Sequence, residues 1–380
     1  MKQSRLILSA VLLLLALPFL RAQGIKAGPW VTDAGENALT ILWTSDVPGM
    51  AYVELEDGSV QYETFAGRRI FQRLHRITLN GFERGSVVRY RVCGRNLKDG
   101  SDPYNPVFGE NYAGEWHAVR TFDGKAASCR FSVFNDIHLQ TADYSALAAQ
   151  VDSAATDFLF LNGDIVTAGN YVLDTLVRYA IEPLGSLPNG LPVMFTRGNH
   201  EGRGDNPKLI AEVFPHTDPA PFYYAFRQGP VAFLVLDGGE TDDVRSVLYS
   251  GKEVYEDYIA EQMAWVRETM REPWFRKASV RVCLIHIPMI DHAIKDDYLI
   301  QRWLNRHVLP LLNKAGIDLM IGADLHEFMF CEKGSMGNDF PILVNDAARR
   351  LDFQYTRGGL IGLKIFNPDG TQEFDYRFRP

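Results

Sequence analysis

The chain is short of several things. It has four cysteines in 380 residues, Cys93, Cys129, Cys283 and Cys331. They form no CxxC and no zinc-knuckle spacing, which excludes a disulfide-built mini-domain and a thiolate zinc module. Cys129 and Cys283 lie in apolar, strand-like runs, where a cysteine serves as a small hydrophobe at least as readily as half of a disulfide; one or two bridges stay open. A basic surplus is also missing. Lys and Arg number 39 against 47 Asp and Glu, a net of −8. Nucleic acid is not an expected partner, because phosphate backbones select basic faces. There are no internal repeats and no low-complexity tract. Beyond the N-terminus no apolar run approaches the ~20 residues that span a bilayer, so no stable membrane span is expected once the leader is gone.

That leader is present. Lys2 and Arg5 precede the apolar run Leu6 to Leu17, Pro18 breaks it, and Ala22 stands before Gln23. Basic, then apolar, then small is the order of a secretory signal peptide. Residues 1–22 are therefore expected to be removed on export to the periplasm or medium, an uncleaved anchor being the alternative. Lys2, Arg5 and Arg21 leave with them, and what remains is more acidic still.

The remaining chain has two rhythms. Residues 23–124 read as a small all-β sandwich. Short alternating runs such as Ala38 to Thr44, Ala51 to Leu55, His75 to Leu79 and Ser86 to Cys93 are separated by Val47-Pro48-Gly49, Asp57-Gly58 and Asn80-Gly81. Trp43 fits a core position between sheets, and Asp99 to Trp116, rich in Gly, Pro, Asn and Tyr, reads as a long loop. Residues 125–380 alternate apolar strand-like runs with helix-like segments, among them Thr141 to Ala155, Tyr171 to Leu184, Tyr258 to Met270 and Ile300 to Lys314. That alternation predicts a layered α/β architecture. Asn367-Pro368-Asp369-Gly370 predicts a terminal hairpin.

The chemistry concentrates where apolar runs end. Phe131 to Phe134 leads into Asp136 and His138. Phe158 to Leu161 leads into Asn162-Gly163-Asp164. Val193 to Thr196 leads into Arg197-Gly198-Asn199-His200-Glu201. Val282 to Ile285 leads into His286, and Leu319 to Ile321 into Asp324 and His326. Sites in open α/β sheets form at the carboxyl ends of strands. Carboxylate, imidazole and amide oxygen together suit zinc, iron or manganese. Seven such donors exceed the needs of one four-coordinate ion, so two ions sharing a carboxylate is the economical count, and two ions can clamp an in-line displacement at phosphorus.

The ordered set Asp136-x-His138, Gly163-Asp164, Gly198-Asn199-His200-Glu201, His286 and Asp324-x-His326 resembles the calcineurin-like metallophosphoesterase superfamily. The β-rich first part resembles the fibronectin-type-III-like domain that precedes the catalytic domain of purple acid phosphatases. The resemblance implies a four-layer α/β/β/α sandwich after the β-domain, and two divalent or mixed-valence ions of iron, manganese or zinc. It implies Asp136, His138 and His326 at the first ion, Asp164 as the bridge and Asn199 and His286 at the second. It implies His200 as the group that contacts the phosphate and assists the leaving group, Asp164 and His200 being the catalytic pair. Two positions depart from the family's pattern. Asp324 stands where the family's last block has its first His, which favours a harder ion there or weakens that site. Thr167 stands where purple acid phosphatases carry a Tyr three residues after the bridging Asp; Tyr171 follows four residues later as a packing or cleft residue.

Outside the motif, Arg203 offers a fork for phosphate oxygens, with a surface ion pair as the bland alternative. His292, on what reads as a cleft loop, is a further substrate-binding candidate beside Asn199 and His200. Glu201 is expected to orient His200 or a ligand. His75, His117, His216 and His307 read as packing or surface residues. The expected activity is hydrolysis of a small phosphate ester, most of all a phosphomonoester, by a metal-bound hydroxide. The rivals are a phosphodiesterase of nucleotides or lipid headgroups and a non-catalytic surface-binding protein with a vestigial metal site.

Overall fold

A computed structural model describes residues 24–167, 171–203, 206–216, 218–241, 255–290 and 299–380. The leader read in residues 1–22 and His292 lie outside the described residues. Among the described residues no helix is long and apolar enough to cross a membrane.

The first region is all β between Ala27 and Arg120. Its spine is one strand, Ala38–Leu55. The first half of that strand pairs with Ala27–Thr32 and Phe71–Asn80, and the second half with Val60–Tyr62 and Val87–Asp99. Val47-Pro48-Gly49, expected to be a turn between two strands, lies inside it. The ladder shifts register between Thr44 and Gly49, and such an irregularity is where a sheet tolerates proline, which has no N–H to give. The expected long loop from Asp99 to Trp116 also differs. It contains the strand Val107–Ala113, paired with Val87–Asp99. Its Gly and Asn content hides a strand that a neighbour's ladder stabilises. Trp43 is fully buried, donating from its indole N–H to the Tyr112 hydroxyl at 3.2 Å.

The second region holds two six-stranded sheets. In the first, Ser128–Phe134, Phe158–Asn162 and Val193–Thr196 run parallel, and Ser128–Phe134 also pairs antiparallel with Arg350–Thr356. Arg350–Thr356, Ile361–Phe366 and Gln372–Phe378 then continue antiparallel, with the expected turn at Asn367 to Gly370 joining the last two. In the second sheet Val231–Leu236, Val280–Ile285, Leu319–Gly322 and Ile342–Val344 run parallel, and Tyr224–Gln228 and Met329–Cys331 close the edges.

The strands alternate with a period of two, and each parity packs a different layer. Phe131, Val133, Phe158, Phe160 and Met194 of the first sheet meet Val231, Phe233, Val235, Val282, Leu284 and Ile321 of the second in one core. Leu159, Leu161, Val193 and Phe195 face the other way, onto the helices Thr141–Ala148, Leu173–Ala180 and Lys208–Val213. Ala232, Leu234, Cys283, Ile285 and Met320 face outward onto Tyr255–Thr269, Leu299–His307 and Leu309–Ala315. Three cores between four layers make an α/β/β/α sandwich. All four cysteines are buried and free, so the small-hydrophobe reading holds.

The two regions are tied by long-range bonds. The Trp30 indole donates to the Val213 carbonyl at 3.0 Å, Thr32 Oγ1 to the Val193 carbonyl at 2.7 Å and the Tyr90 hydroxyl to the Asn189 carbonyl at 2.9 Å. Asp174 accepts from Arg73 at 2.6 Å and Lys26 at 2.8 Å.

Candidate metal centre

Five strands deliver the donors. Ser128–Phe134 ends before Asp136 and His138, Phe158–Asn162 before Asp164, and Val193–Thr196 before Asn199 and His200. From the facing sheet, Val280–Ile285 ends before His286, and Leu319–Gly322 before Asp324 and His326. All five are carboxyl ends of parallel strands, so candidate donors from two sheets meet at one rim.

The turns that follow are bent unusually. Asp136, His138, Asp164, Asp324 and His326 have φ of 49°, 44°, 53°, 71° and 51°. Each such non-glycine left-handed residue costs about 1 kcal/mol or more, and such strain gathers at functional sites. The glycines of the motif follow from crowding. A side chain on Gly163, itself at φ 77°, would strike Gly198 and the His286 ring, and one on Gly198 would strike the Asp164 carboxylate.

Donor atoms converge in three overlapping groups: Asp136 with His138 and His326, His138 with Asp164 and His200, and Asp136 with Asp164 and His286. Within each, the atoms lie within 4.8 Å of one another. His326 Nε2 is 3.0 Å from His138 Nε2 and 3.3 Å from Asp136 Oδ1. His286 Nε2 is 3.3 Å from Asp164 Oδ2 and 3.9 Å from both Asp136 Oδ1 and Asp324 Oδ1.

A test of whether cations fit is what the buried polar atoms do without them. Asp136 Oδ1, His286 Nε2 and Asp324 Oδ2 are buried with no hydrogen-bond partner. Each orphan of this kind costs about 1–3 kcal/mol. His286 Nδ1 lies 2.6 Å from the Asn162 carbonyl and must donate to it, so Nε2 is the nitrogen turned toward the carboxylates and left for a metal to take in place of a proton. Asn199 repeats the pattern. With its amide nitrogen toward Asp164 it bonds both carboxylate oxygens at 3.2 Å; with its oxygen there, acceptor faces acceptor, an arrangement that a cation between them resolves. The donor set fits metal ions.

The electrostatics agree. Burial opposes charge on Asp164, yet His286 and His200 hold its carboxyl down at about 2. Burial also disfavours the His286 imidazolium, yet Asp164, Asp136 and Asp324 hold its pKa well above the usual histidine range. Burial, with neighbouring carboxylates, pushes Asp324 up to about 7. Negative charge concentrated in a buried cluster is what a divalent cation neutralises.

Residues around the donors set their pose. Glu201, fully buried, accepts from the backbone N–H groups of Asp164 at 2.9 Å, Ile165 at 2.8 Å, Val166 at 3.3 Å and Gly198 at 2.6 Å. It clamps the turn that carries Asp164. Tyr171 donates to the Glu201 carbonyl at 2.7 Å and packs, while Thr167 is exposed. Arg203 gives Nε and Nη2 to Glu240 at 2.9 and 2.6 Å, and Nη1 to His200 Nε2 at 3.0 Å. Its fork holds a carboxylate in this structure and one amine reaches the histidine. Arg197 is buried against Asp237 at 2.6 Å. His75, read as a packing or surface residue, is buried between Glu63 and Ser45, and His216 pairs with Asp33.

Residues 129–328 match the family model described as calcineurin-like phosphoesterase. The chain belongs to that family. This phosphoesterase is a hydrolase, and its whole fold extends the match. The purple acid phosphatase PPD1 from yellow lupin (Lupinus luteus) seeds is similar at 13% identity, with a TM-score of 0.68 over 93% of this chain and 74% of that one. GAP50, the anchor in the inner membrane complex of Plasmodium, is similar at 13% identity, with a TM-score of 0.50 over 67% of this chain and 89% of that one. Those identities speak to fold alone. No curated protein matches the sequence.

Sequence reasoning passed over Glu240, Asn135 as a partner of Asp136, and Asn345. Glu240 and Asn345 each follow closely on a strand of the second sheet, Val231–Leu236 and Ile342–Val344. The same polar-after-apolar signal that marked the donors was there for both.

Proposed function

We propose that this phosphoesterase hydrolyses small phosphomonoesters with two divalent or mixed-valence ions of iron, manganese or zinc. Asp136, His138 and His326 would hold one, Asn199, His286 and Asp324 the other, and Asp164 both. The observation that carries the reading is the set of buried donor atoms, Asp136 Oδ1, His286 Nε2 and Asp324 Oδ2, that have no hydrogen-bond partner. The orphaned Asp324 oxygen supports Asp324 as a ligand in place of imidazole and speaks against a vestigial site. When bound, the ions supply Lewis acidity toward the phosphoryl oxygens and acidify water toward neutral pH.

The protein's own groups do the rest. Asp164, kept ionised, accepts from the His200 backbone N–H at 3.0 Å and so fixes the loop bearing Asn199 and His200. Asn199 orients a phosphoryl oxygen through its amide. His200, partly exposed beside Asp164, would hydrogen-bond or protonate the leaving oxygen. Arg203, anchored by Glu240, stands beside it as a positive charge. Secretion to the periplasm or medium is part of the proposal, supported by the pattern from Lys2 to Ala22.

The test is turnover of mono- and bis-aryl phosphates by chelator-stripped protein with manganese, iron or zinc restored in turn. Monoester turnover that requires an added ion, and that Asp164→Ala and His200→Ala each remove, is expected. Full activity in both variants would sink the assignment, and a clear preference for the diester would replace the substrate class.

A further inference from the structure

Asp136 presents its two oxygens to different surroundings. Oδ2 accepts from Asn135 Nδ2 at 2.7 Å and from the Asp324 backbone N–H at 3.2 Å. Oδ1 is buried without a hydrogen-bond partner, 3.3 Å from His326 Nε2 and 3.9 Å from His138 and His286 Nε2. Something must choose which oxygen faces the cluster.

Asn135 is buried at the end of Ser128–Phe134, in the first sheet. Its Oδ1 accepts from Asn345 Nδ2 at 2.7 Å. Asn345 is fully buried at the end of Ile342–Val344, in the second sheet. Its backbone N–H donates to the Gly322 carbonyl at 3.0 Å, two residues before Asp324, and its Nδ2 donates also to the Arg349 carbonyl at 3.1 Å. Asn135 Nδ2 reaches back to the Asn345 and Asp346 carbonyls at 3.3 Å each. One chain of bonds therefore runs from the strand carrying Asp324, through Asn345 and Asn135, to Asp136.

We infer that Asn345, acting through Asn135, is a positioning residue of the metal centre: it sets the span between the first-sheet ligand Asp136 and the second-sheet ligands Asp324 and His326, and leaves Asp136 Oδ1 bare for the ion. The inference rests on the proposal that this cluster holds metal. Its chemistry demands amides at both places. Asn135 must accept with its oxygen and donate with its nitrogen, and Asn345 must donate to it; a carboxylate can do only the first of these. An Asp at 135 would set two carboxylates against one another, and an Asp at 345 would set acceptor against acceptor. Asn345 has no place in the motif itself, and its influence passes through Asn135. Partners of that kind are worth about 10- to 100-fold in metal affinity.

The experiment is calorimetric titration of chelator-stripped full chain with manganese chloride, beside a thermal melt of each metal-free variant. Asn345→Asp is the near-isosteric variant that removes the donor; Asn345→Ala, Asn135→Ala and their double variant complete a cycle. Folded Asn345 variants are expected to bind manganese about 10- to 100-fold more weakly, with the double variant losing no more than Asn135→Ala alone. If Asn345→Asp and Asn345→Ala fail to melt cooperatively, Asn345→Ser, which keeps a small donor, is titrated in their place and is expected to show a smaller loss in the same direction. Wild-type affinity in a folded Asn345 variant, or losses that add in the double variant, overturns the inference. Failure of the unmodified chain to bind manganese overturns the metal reading itself, and the inference with it.

Discussion

His286 turns its Nε2 to within 3.3 Å of Asp164 Oδ2 while its Nδ1 is spent on the Asn162 carbonyl at 2.6 Å. The two residues come from facing sheets, and the carbonyl bond forces the histidine's Nε2 into the carboxylate cluster. Replacing His286 with Phe fills the same buried space without a donor. Metal content measured on protein loaded with manganese is expected to fall from about two ions per chain toward one, since the second ion loses its imidazole. Two ions per chain in His286→Phe would remove His286 from the ligand set.

Glu201 accepts four backbone N–H groups and is fully buried. Burial, with the Asp164 charge beside it, pushes its carboxyl up to about 7. Glu201→Gln keeps the shape but turns an amide toward N–H groups that need acceptors. A loss of about 2–3 kcal/mol in urea unfolding is expected, with turnover falling alongside, because the Asp164 turn loosens. A variant with unchanged unfolding midpoint and activity would show that the clamp is dispensable.

The Glu240–Arg203 pair has a testable sign. Glu240 is almost fully buried and Arg203 largely so. Removing one partner of such a pair leaves an uncompensated charge, at a cost of about 3 kcal/mol. Glu240→Gln is expected to destabilise and to lower kcat more than it raises KM, since Arg203 loses its anchor beside His200. Arg203→Lys keeps the charge but not the fork, and the same steady-state assay should show a partial loss. If both variants raise KM alone with kcat intact, Arg203 binds substrate directly and does not act through His200.

Acid should remove the contribution of one buried histidine to stability in a defined window. Burial lowers the pKa of His117 from the usual 6.5, and burial does the same at His138 and His200. At these groups the unfolded chain then binds more protons than the folded one just below that value, so their contribution to stability falls as pH drops through it, while the raised groups His286, His326, Asp324 and Glu201 contribute in the opposite sense. His117 sits against Tyr90 at 5.6 Å between ring centroids, away from the metal centre, which makes it a clean probe. Between about pH 7.5 and pH 5 the urea midpoint of the unmodified chain should drop relative to that of His117→Gln. Parallel slopes would mean that His117 stays solvated.

Thiol chemistry gives a further check independent of the metal centre. All four cysteines are buried and unbridged, and burial raises the thiol pKa at each of them. An aromatic disulfide reagent should therefore find almost no thiol in the native protein and all four after denaturation without reductant. Fewer than four in the denatured, unreduced chain would reveal a bridge.

Much of this molecule was open to local reading. The continuous apolar run Phe158 to Leu161 declares a strand buried on both faces, and the structure sends Phe158 and Phe160 to one core and Leu159 and Leu161 to another. The donors were legible because Asp, Asn and His directly after such runs are costly to bury without a purpose. The strand Val107–Ala113 was not legible, because its residues resemble a loop and its partner supplies the ladder. Nor was the single strand Ala38–Leu55, whose Pro48 imitates a turn.

By itself, then, the sequence determined the apolar strands that lead into the donors, the order of the donors along them and the turns that demand glycine, since each depends on neighbours a few residues apart. The tertiary structure alone decided that Asn345 meets Asn135 across 210 positions, that Glu240 takes the fork of Arg203, and which oxygen of Asp136 stays bare. The physical reason is that a hydrogen bond between distant segments leaves no periodic trace in either of them. It exists only once two sheets have packed face to face and brought their ends to one rim.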